Sequence, residues 1–286
     1  MFTGLSAFPI TPADPDGNLI TDDFAAILSR LTAAGVNSIG VLGSTGTYPY
    51  LDRDQRRAAI ALARNAAGDT PILAGIGALR TSDAIAFAHD AAAAGADGLL
   101  LSAMSYTPLS EDEVFTHFTT VADATDLPLC IYDNPGTTHF NFSRDLLVRL
   151  AAHPRITACK LPPSADYAGD IAWLRARTPD DFAIGYSADW VMADAMAAGA
   201  DVFFTAVGGI LPDQAMAVVA AAQAGSPDAS APLAPFWDLI KAHGGLRVSY
   251  AIANRFGLTT AQPPLPIQPL SDIAALDAAL AQIGQP

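Results

Sequence analysis

The segment Ala198-Gly199-Ala200-Asp201-Val202-Phe203-Phe204-Thr205 closes an Ala-rich helical stretch on a glycine and passes at once into a short apolar run. Ala34-Gly35-Val36-Asn37 and Ala94-Gly95-Ala96-Asp97 repeat the pattern, each ahead of another apolar run. Glycine stops a helix there because it enters the left-handed region without a Cβ clash. Working outward from these junctions, β-prone runs fall at 5–8, 38–42, 72–74, 98–101, 129–132, 157–161, 182–185 and 202–205. Helical stretches are expected near 22–34, 52–66, 82–94, 111–125, 143–152, 167–177, 188–198 and 212–224. Thr21, Asp52, Ser110 (with Glu113 three residues on) and Ser143 supply capping chemistry. Eight strand–helix units pair in parallel through right-handed crossovers and, in 286 residues, fit a closed α/β (β/α)8 TIM barrel better than an open sheet. The barrel is expected over 1–225 and a C-terminal helical extension packed on it over 226–286, opening with a Pro-, Ala- and Ser-rich segment at 226–235. Helices are expected in that extension at 236–243, 246–256 and 271–283.

Composition excludes several classes. Hydrophobic residues make up 51% and charged residues 15%, which is core-forming and not disordered. A formal charge of −14 repels nucleic acid and anionic lipid, so neither is expected as a partner. No apolar run reaches the length of a membrane span, and the opening MFTGLSAFPI lacks a secretory signature; a cytoplasmic location is expected. Cys130 and Cys159 lie inside apolar runs, as reduced thiols packed as small hydrophobes do. The five histidines lack paired ligand spacing, so no metal is expected.

Of fifteen basic residues only Lys160 and Lys241 carry an amine that can lose its proton. Active sites of such barrels sit at the C-terminal strand ends, where Cys159-Lys160-Leu161 closes the sixth run. Apolar flanks strip hydration from an ammonium and lower its pKa toward the range where the free amine attacks a carbonyl. Lys160 is thus the candidate nucleophile, the alternative being a lysine paired or snorkelling at the rim. Lys241 has the setting of a solvated helix end. The fifth run ends in Tyr132-Asp133-Asn134-Pro135-Gly136, which offers a phenol one strand over as a proton carrier. The second run opens into Gly43-Ser44-Thr45-Gly46-Thr47, a glycine-rich turn whose amides and hydroxyls suit a carboxylate or a phosphate.

Taken together, Gly-Ser-Thr-Gly after the second strand, Tyr132 in a Tyr-Asx-x-Pro stretch and Lys160 28 residues later resemble the dihydrodipicolinate synthase and N-acetylneuraminate lyase family of Schiff-base lyases. The likeness extends to Ser105-Tyr106, to Gly185-Tyr186-Ser187 and to the C-terminal extension. The resemblance implies a lyase or aldolase in which Lys160 forms an iminium with pyruvate or a 2-keto-3-deoxy acid. It implies Tyr132 as general acid/base and Thr45 as the proton relay between Tyr132 and Tyr106, the latter from the neighbouring subunit of a homodimer or homotetramer. Ser44 and Thr45 would hold the substrate carboxylate. Thr137, Gly185, Tyr186 and Ser187 would line the substrate site, and Phe203 would present its carbonyl near the imine.

Departures from the family pattern bear on the substrate. Dihydrodipicolinate synthases place an Arg for a second carboxylate where this chain has Thr137, and a neutral hydroxyl forms no bidentate charged clamp. Sialic acid lyases place a Thr two residues after the lysine; here Pro162 and Pro163 follow. Thr47 stands where a Glu is usual. Thr137, Thr138, His139, Tyr186 and Ser187 therefore suggest a pocket for hydroxyls on a short oxygenated chain. Dihydrodipicolinate synthase itself, a phosphate-binding barrel using Gly208-Gly209 as an anion nest, and a non-catalytic pyruvate binder stay open as rivals.

Overall fold

Eight strands close on themselves in chain order, each parallel to the next, with the last pairing back onto the first. They are β1 (Gly4–Ala7), β2 (Ser38–Val41), β3 (Ile72–Gly75), β4 (Gly98–Ser102), β5 (Leu129–Tyr132), β6 (Ile156–Leu161), β7 (Ala183–Ser187) and β8 (Val202–Thr205). The computed structural model describes residues 1–226 and 228–285; positions 227 and 286, both within the expected extension, lie outside the described residues. Helices α1 (Thr21–Ala33), α2 (Arg53–Ala67), α3 (Thr81–Ala93), α4 (Glu111–Asp123), the single turn α5 (Pro135–Thr138), α6 (Arg144–Ala151), α7 (Tyr167–Arg175), α8 (Met192–Ala197) and α9 (Pro212–Gln223) connect and follow the strands. Beyond the last strand–helix unit lie α10 (Ala234–His243), α11 (Gly245–Arg255) and α12 (Ile273–Gln282).

The repeated junctions act as two-point clamps. Gly35, Gly95 and Gly199 take φ of +73°, +91° and +96°. Two residues on, the polar side chain turns back to an N–H of a neighbouring strand. Asn37 Oδ1 accepts from Leu5 N at 2.8 Å, Asp97 Oδ2 from Ile72 N at 2.7 Å and Asp201 Oδ2 from Ile184 N at 2.7 Å. The backbone N–H of each of these three residues in turn donates to the carbonyl of the same strand residue. The motif thus satisfies donors at the bottom of the barrel and fixes the entry of a strand. Asp52 and Ser110 form complete capping boxes, and Ser143 caps α6. Thr21, expected as a cap, is instead the first residue of α1, and Ile20 before it offers no side-chain acceptor.

Alternation along the strands divides the apolar residues into two layers. Leu73, Leu100, Cys130, Tyr132, Ala158, Val202 and Phe204 pack with Phe8 inside the barrel, whereas Ile131, Cys159, Ile184 and Phe203 belong to the larger core between strands and helices. Both cysteines are buried and free. The Tyr250 hydroxyl on α11 donates to Thr11 O at 3.1 Å, joining that helix to the loop after β1. Among the described residues no helix is long and apolar enough to cross a membrane.

Candidate active site

β6 carries Lys160 inward near its C-terminal end, with Tyr132 of β5 and Gly185 of β7 as its register partners. The lysine is 5% exposed. Its Nζ lies 4.0 Å from the centroid of the Phe8 ring, 4.1 Å from that of Tyr132 and 5.6 Å from that of Phe204. No described carboxylate forms an ion pair with it among the salt bridges of the chain. Burial lowers its pKa from 10.5 to about 8, against the opposing pull of Cys130 and Asp189. Gly185 is small for a reason: a Cβ there would stand 2.5 Å from the Phe204 ring and 2.6 Å from Val202 Cγ1. The amine opens into a cavity of about 700 Å³ at the C-terminal mouth of the barrel, as large as typical small-molecule sites.

Tyr132 is held from two sides. Its phenol oxygen accepts from Asn134 Nδ2 at 2.8 Å and lies 3.3 Å from Ser44 Oγ. An amide nitrogen only donates, so Asn134 gives its hydrogen to the phenol, while the Ser44 hydroxyl can either donate to Tyr132 or accept from it. Burial raises the Tyr132 pKa, and both hydrogen bonds counter the rise. Thr45 was expected to touch Tyr132; the structure gives that contact to Ser44. The loop enters and leaves through left-handed residues, Leu42 at φ +58° and Thr47 at φ +57°, a tight coil that turns Ser44 toward β5. Thr45 remains in the cavity wall.

The other expected site residues divide in two. Thr137, Thr138 and Ser187 line the cavity, as do Pro162 and Pro163. Tyr186 does not. It follows the inward Gly185, so alternation turns it outward, where its ring packs on Tyr167 with centroids 4.9 Å apart and its hydroxyl finds no partner among the described residues. Burial raises its pKa. The Phe203 side chain is likewise in the outer core, and β8 presents the ring of Phe204 to the lysine. Tyr106 is 96% exposed and is not part of this cavity wall. His139 also lies outside the wall.

Several lining residues escaped the sequence reading. Asp189 is buried beneath the turn after β8, where it accepts from Thr205 Oγ1, from Val207 N at 3.1 Å and from Ala206 N at 3.3 Å. Gly208 N is taken by Thr205 Oγ1 at 2.8 Å. The amides of the anion nest weighed at Gly208-Gly209 are thus already taken within the turn, Gly208 N by Thr205 Oγ1 and Gly209 N by Ala206 O, with Asp189 holding the two amides before them, which removes the site that a phosphate-binding barrel would use. Burial raises the Asp189 pKa, and these donors lower it. Asp133 is 6% exposed with Oδ1 unpartnered among the described residues, and burial raises its pKa to about 7. Tyr48 and Trp190 also line the cavity, the former with its hydroxyl 3.1 Å from Ser102 Oγ. Only the folding back of the loops brings these side chains to the lysine, so no local signal in the sequence marks them. Among the described residues no group of three or more His, Cys, Asp or Glu is placed to hold a metal ion.

Comparison with known proteins bears on this arrangement. The chain is 37% identical, over 66% of its length, to a 4-hydroxy-tetrahydrodipicolinate synthase of Nitrosomonas europaea, and the alignment spans 64% of that relative's length. Its fold matches the crystal structure of a dihydrodipicolinate synthase from Agrobacterium tumefaciens with a TM-score of 0.96 at 51% identity, covering 99% of this chain and 98% of the other. A chloride-inhibited dihydrodipicolinate synthase from Acinetobacter baumannii, crystallised with pyruvate, matches with a TM-score of 0.90 at 26% identity, covering 99% of both chains. The sequence model of the dihydrodipicolinate synthetase family matches residues 1–272. With a closed barrel, a lysine buried at the end of β6 and a tyrosine beside it, the chain belongs to the dihydrodipicolinate synthetase family, a family of Schiff-base, class I aldolase-type lyases.

Proposed function

We propose that the protein makes or breaks a bond of a 2-oxo acid through an imine on Lys160. The observation that carries this is the dry amine itself, 4.0 Å and 4.1 Å from two aromatic rings, without a carboxylate partner and with its pKa brought to about 8. At neutral pH an appreciable fraction is then free to attack a ketone, as an ordinary lysine is not. Pyruvate or a pyruvate-yielding acid is the donor. The pyruvate complex of the Acinetobacter relative supports this choice. Its carboxylate would lie against the amides and hydroxyls of Ser44 and Thr45. The resulting iminium is an electron sink for the adjacent carbon. Tyr132 would move the proton, with the Ser44 hydroxyl as its hydrogen-bond partner. Tyr106, exposed in one chain, would complete the relay from a neighbouring subunit of a homodimer or homotetramer. Phe203 would contribute only through its main chain. The covalent imine needs no metal. Borohydride reduction in the presence of pyruvate, followed by peptide mass analysis, tests this. A stable adduct on the peptide holding Lys160 is the expected result, with the rate of imine formation at half its plateau near pH 8; an unmodified Lys160 overturns the proposal.

Synthesis of the lysine precursor made by the named relatives is a weaker reading. Apart from Lys160, the cavity wall holds no cation for a second carboxylate among the described residues.

A further inference from the structure

Resting on the Lys160 imine, the geometry points to the chemistry of the second reactant: we propose an uncharged aldehyde with an apolar or aromatic body. The apolar part of the cavity wall includes Pro162, Pro163, Trp190, Ile240, Leu246 and Ile267. Besides Lys160, the ionisable acids and bases of the lining among the described residues are Asp133, Asp189 and the phenols of Tyr48, Tyr50 and Tyr132; none offers a positive charge. Asp189 is occupied by its own amides. The cations outside the wall are spoken for or exposed: Arg247, beside Gly244, donates to His243 O and Gln268 O, Arg144, behind Pro162 and Pro163, pairs with Asp170, and Lys241, with Nζ 5.6 Å from the Trp190 ring centroid, is exposed; none lines the cavity. A carboxylated aldehyde would give up its hydration here against acidic neighbours and gain no clamp.

The hydroxyls expected to greet an oxygenated chain are already engaged. Thr137 Oγ1 and Thr138 Oγ1 donate to Asn134 O at 3.3 Å and 3.0 Å, and Ser187 Oγ donates to Leu161 O at 3.1 Å. Each hydroxyl has one hydrogen, so these three offer a substrate hydroxyl acceptor lone pairs only. Tyr186 faces the outer core. A polyhydroxylated aldehyde could donate to these three oxygens but would find no hydrogen on them for its own oxygens to accept, and a site that leaves polar groups unpaired discriminates strongly. An apolar body instead buries against Trp190 and Leu246.

The reaction then balances simply. The methyl-derived carbon of imine-bound pyruvate, as its enamine, forms a bond to the aldehyde carbon. The aldehyde oxygen takes the electron pair of its π bond and one proton, becoming a hydroxyl. Water then releases a 4-hydroxy-2-oxo acid from Lys160, and the cleavage direction is the reverse.

The test presents pyruvate with benzaldehyde, hexanal, succinic semialdehyde or glyceraldehyde to the intact enzyme, alongside borohydride capture of pyruvate on the same sample. Benzaldehyde and hexanal are expected to give kcat/KM at least about tenfold above succinic semialdehyde and glyceraldehyde. Thr137→Arg should raise the value for succinic semialdehyde about tenfold, by adding the missing cation. Pyruvate capture without consumption of either apolar aldehyde, or with preference for the charged or hydroxylated ones, overturns this inference alone. Failure to capture pyruvate overturns the imine reading as well.

Discussion

Replacing Lys160 by Met should make the folded protein more stable, and the gain should disappear at high pH. The two side chains are similar in length, so the Phe8, Tyr132 and Phe204 rings keep a neighbour. What changes is the cost of a dry ammonium. Burial brings the pKa from 10.5 to about 8 in the folded chain, a preference for the neutral amine of about 3 kcal/mol. Below pH 8 the lysine is protonated in both folded and unfolded chains, and the folded state bears the whole penalty. Between pH 8 and 10.5 the folded chain has shed the proton while the unfolded chain still holds it, so wild-type stability gains up to about 1.4 kcal/mol per pH unit relative to the variant. Above 10.5 neither state is charged at this position and the difference closes. Urea unfolding of both proteins at one fixed concentration, at pH 7 and pH 10, measures the double difference and cancels every other titrating group. Equal stability at pH 7, or a gap unchanged at pH 10, would refute the claim that the amine is held dry.

Other consequences can be measured separately. Asn134→Leu removes the 2.8 Å donor from the Tyr132 oxygen, so its pKa should climb further; exchange of the pyruvate methyl protons, followed by NMR, should slow about tenfold or more, while borohydride capture persists. Gly185→Ala forces a methyl to within 2.6 Å of Val202 and closer still to Phe204, and thermal unfolding should register a loss of about 1–3 kcal/mol. Inorganic phosphate at constant ionic strength should leave the wild-type Tm unmoved, because Asp189 already takes the amides of Ala206 and Val207; a clear upward shift would restore the phosphate reading.

The barrel was legible because its signals are local. A glycine in the left-handed region, followed two residues later by Asn37, Asp97 or Asp201, is written within four residues of chain, and the structure uses all of them. Lys160 was legible for the same reason, as the rare amine at the end of an apolar run. Alternation, carried one step further, would also have placed Tyr186 and Phe203: with Gly185 facing inward beside Lys160, its neighbour Tyr186 must face out. Asn134 and Asp189 are different. Asn134 reaches the Tyr132 oxygen only through the turn that opens α5, and Asp189 reaches Ala206 and Val207 across the gap between β7 and β8. Neither contact leaves a periodic trace. Thr21 shows the opposite failure, a good capping residue that the chain places one position too late.

The unassigned carboxyls help explain how an amine at the mouth of a barrel stays largely undisturbed by counter-charges in a chain of net charge −14. Asp189 does favour the ammonium of Lys160, but its oxygens are committed to a hydroxyl and two amides, whose donors draw its field toward the turn after β8. Asp133 has been pushed to about 7 by burial, so near neutral pH it carries its negative charge only part of the time. Strengthening the charge of Asp189 would favour the ammonium of Lys160 and cost the nucleophile; moving Asp189 into solvent would leave the amides of Ala206 and Val207 unpaired. A barrel that ties Asp189 into its own turn, keeps Asp133 partly uncharged by burial and surrounds Lys160 with aromatic rings can therefore carry a strongly acidic surface without quenching the base at its centre.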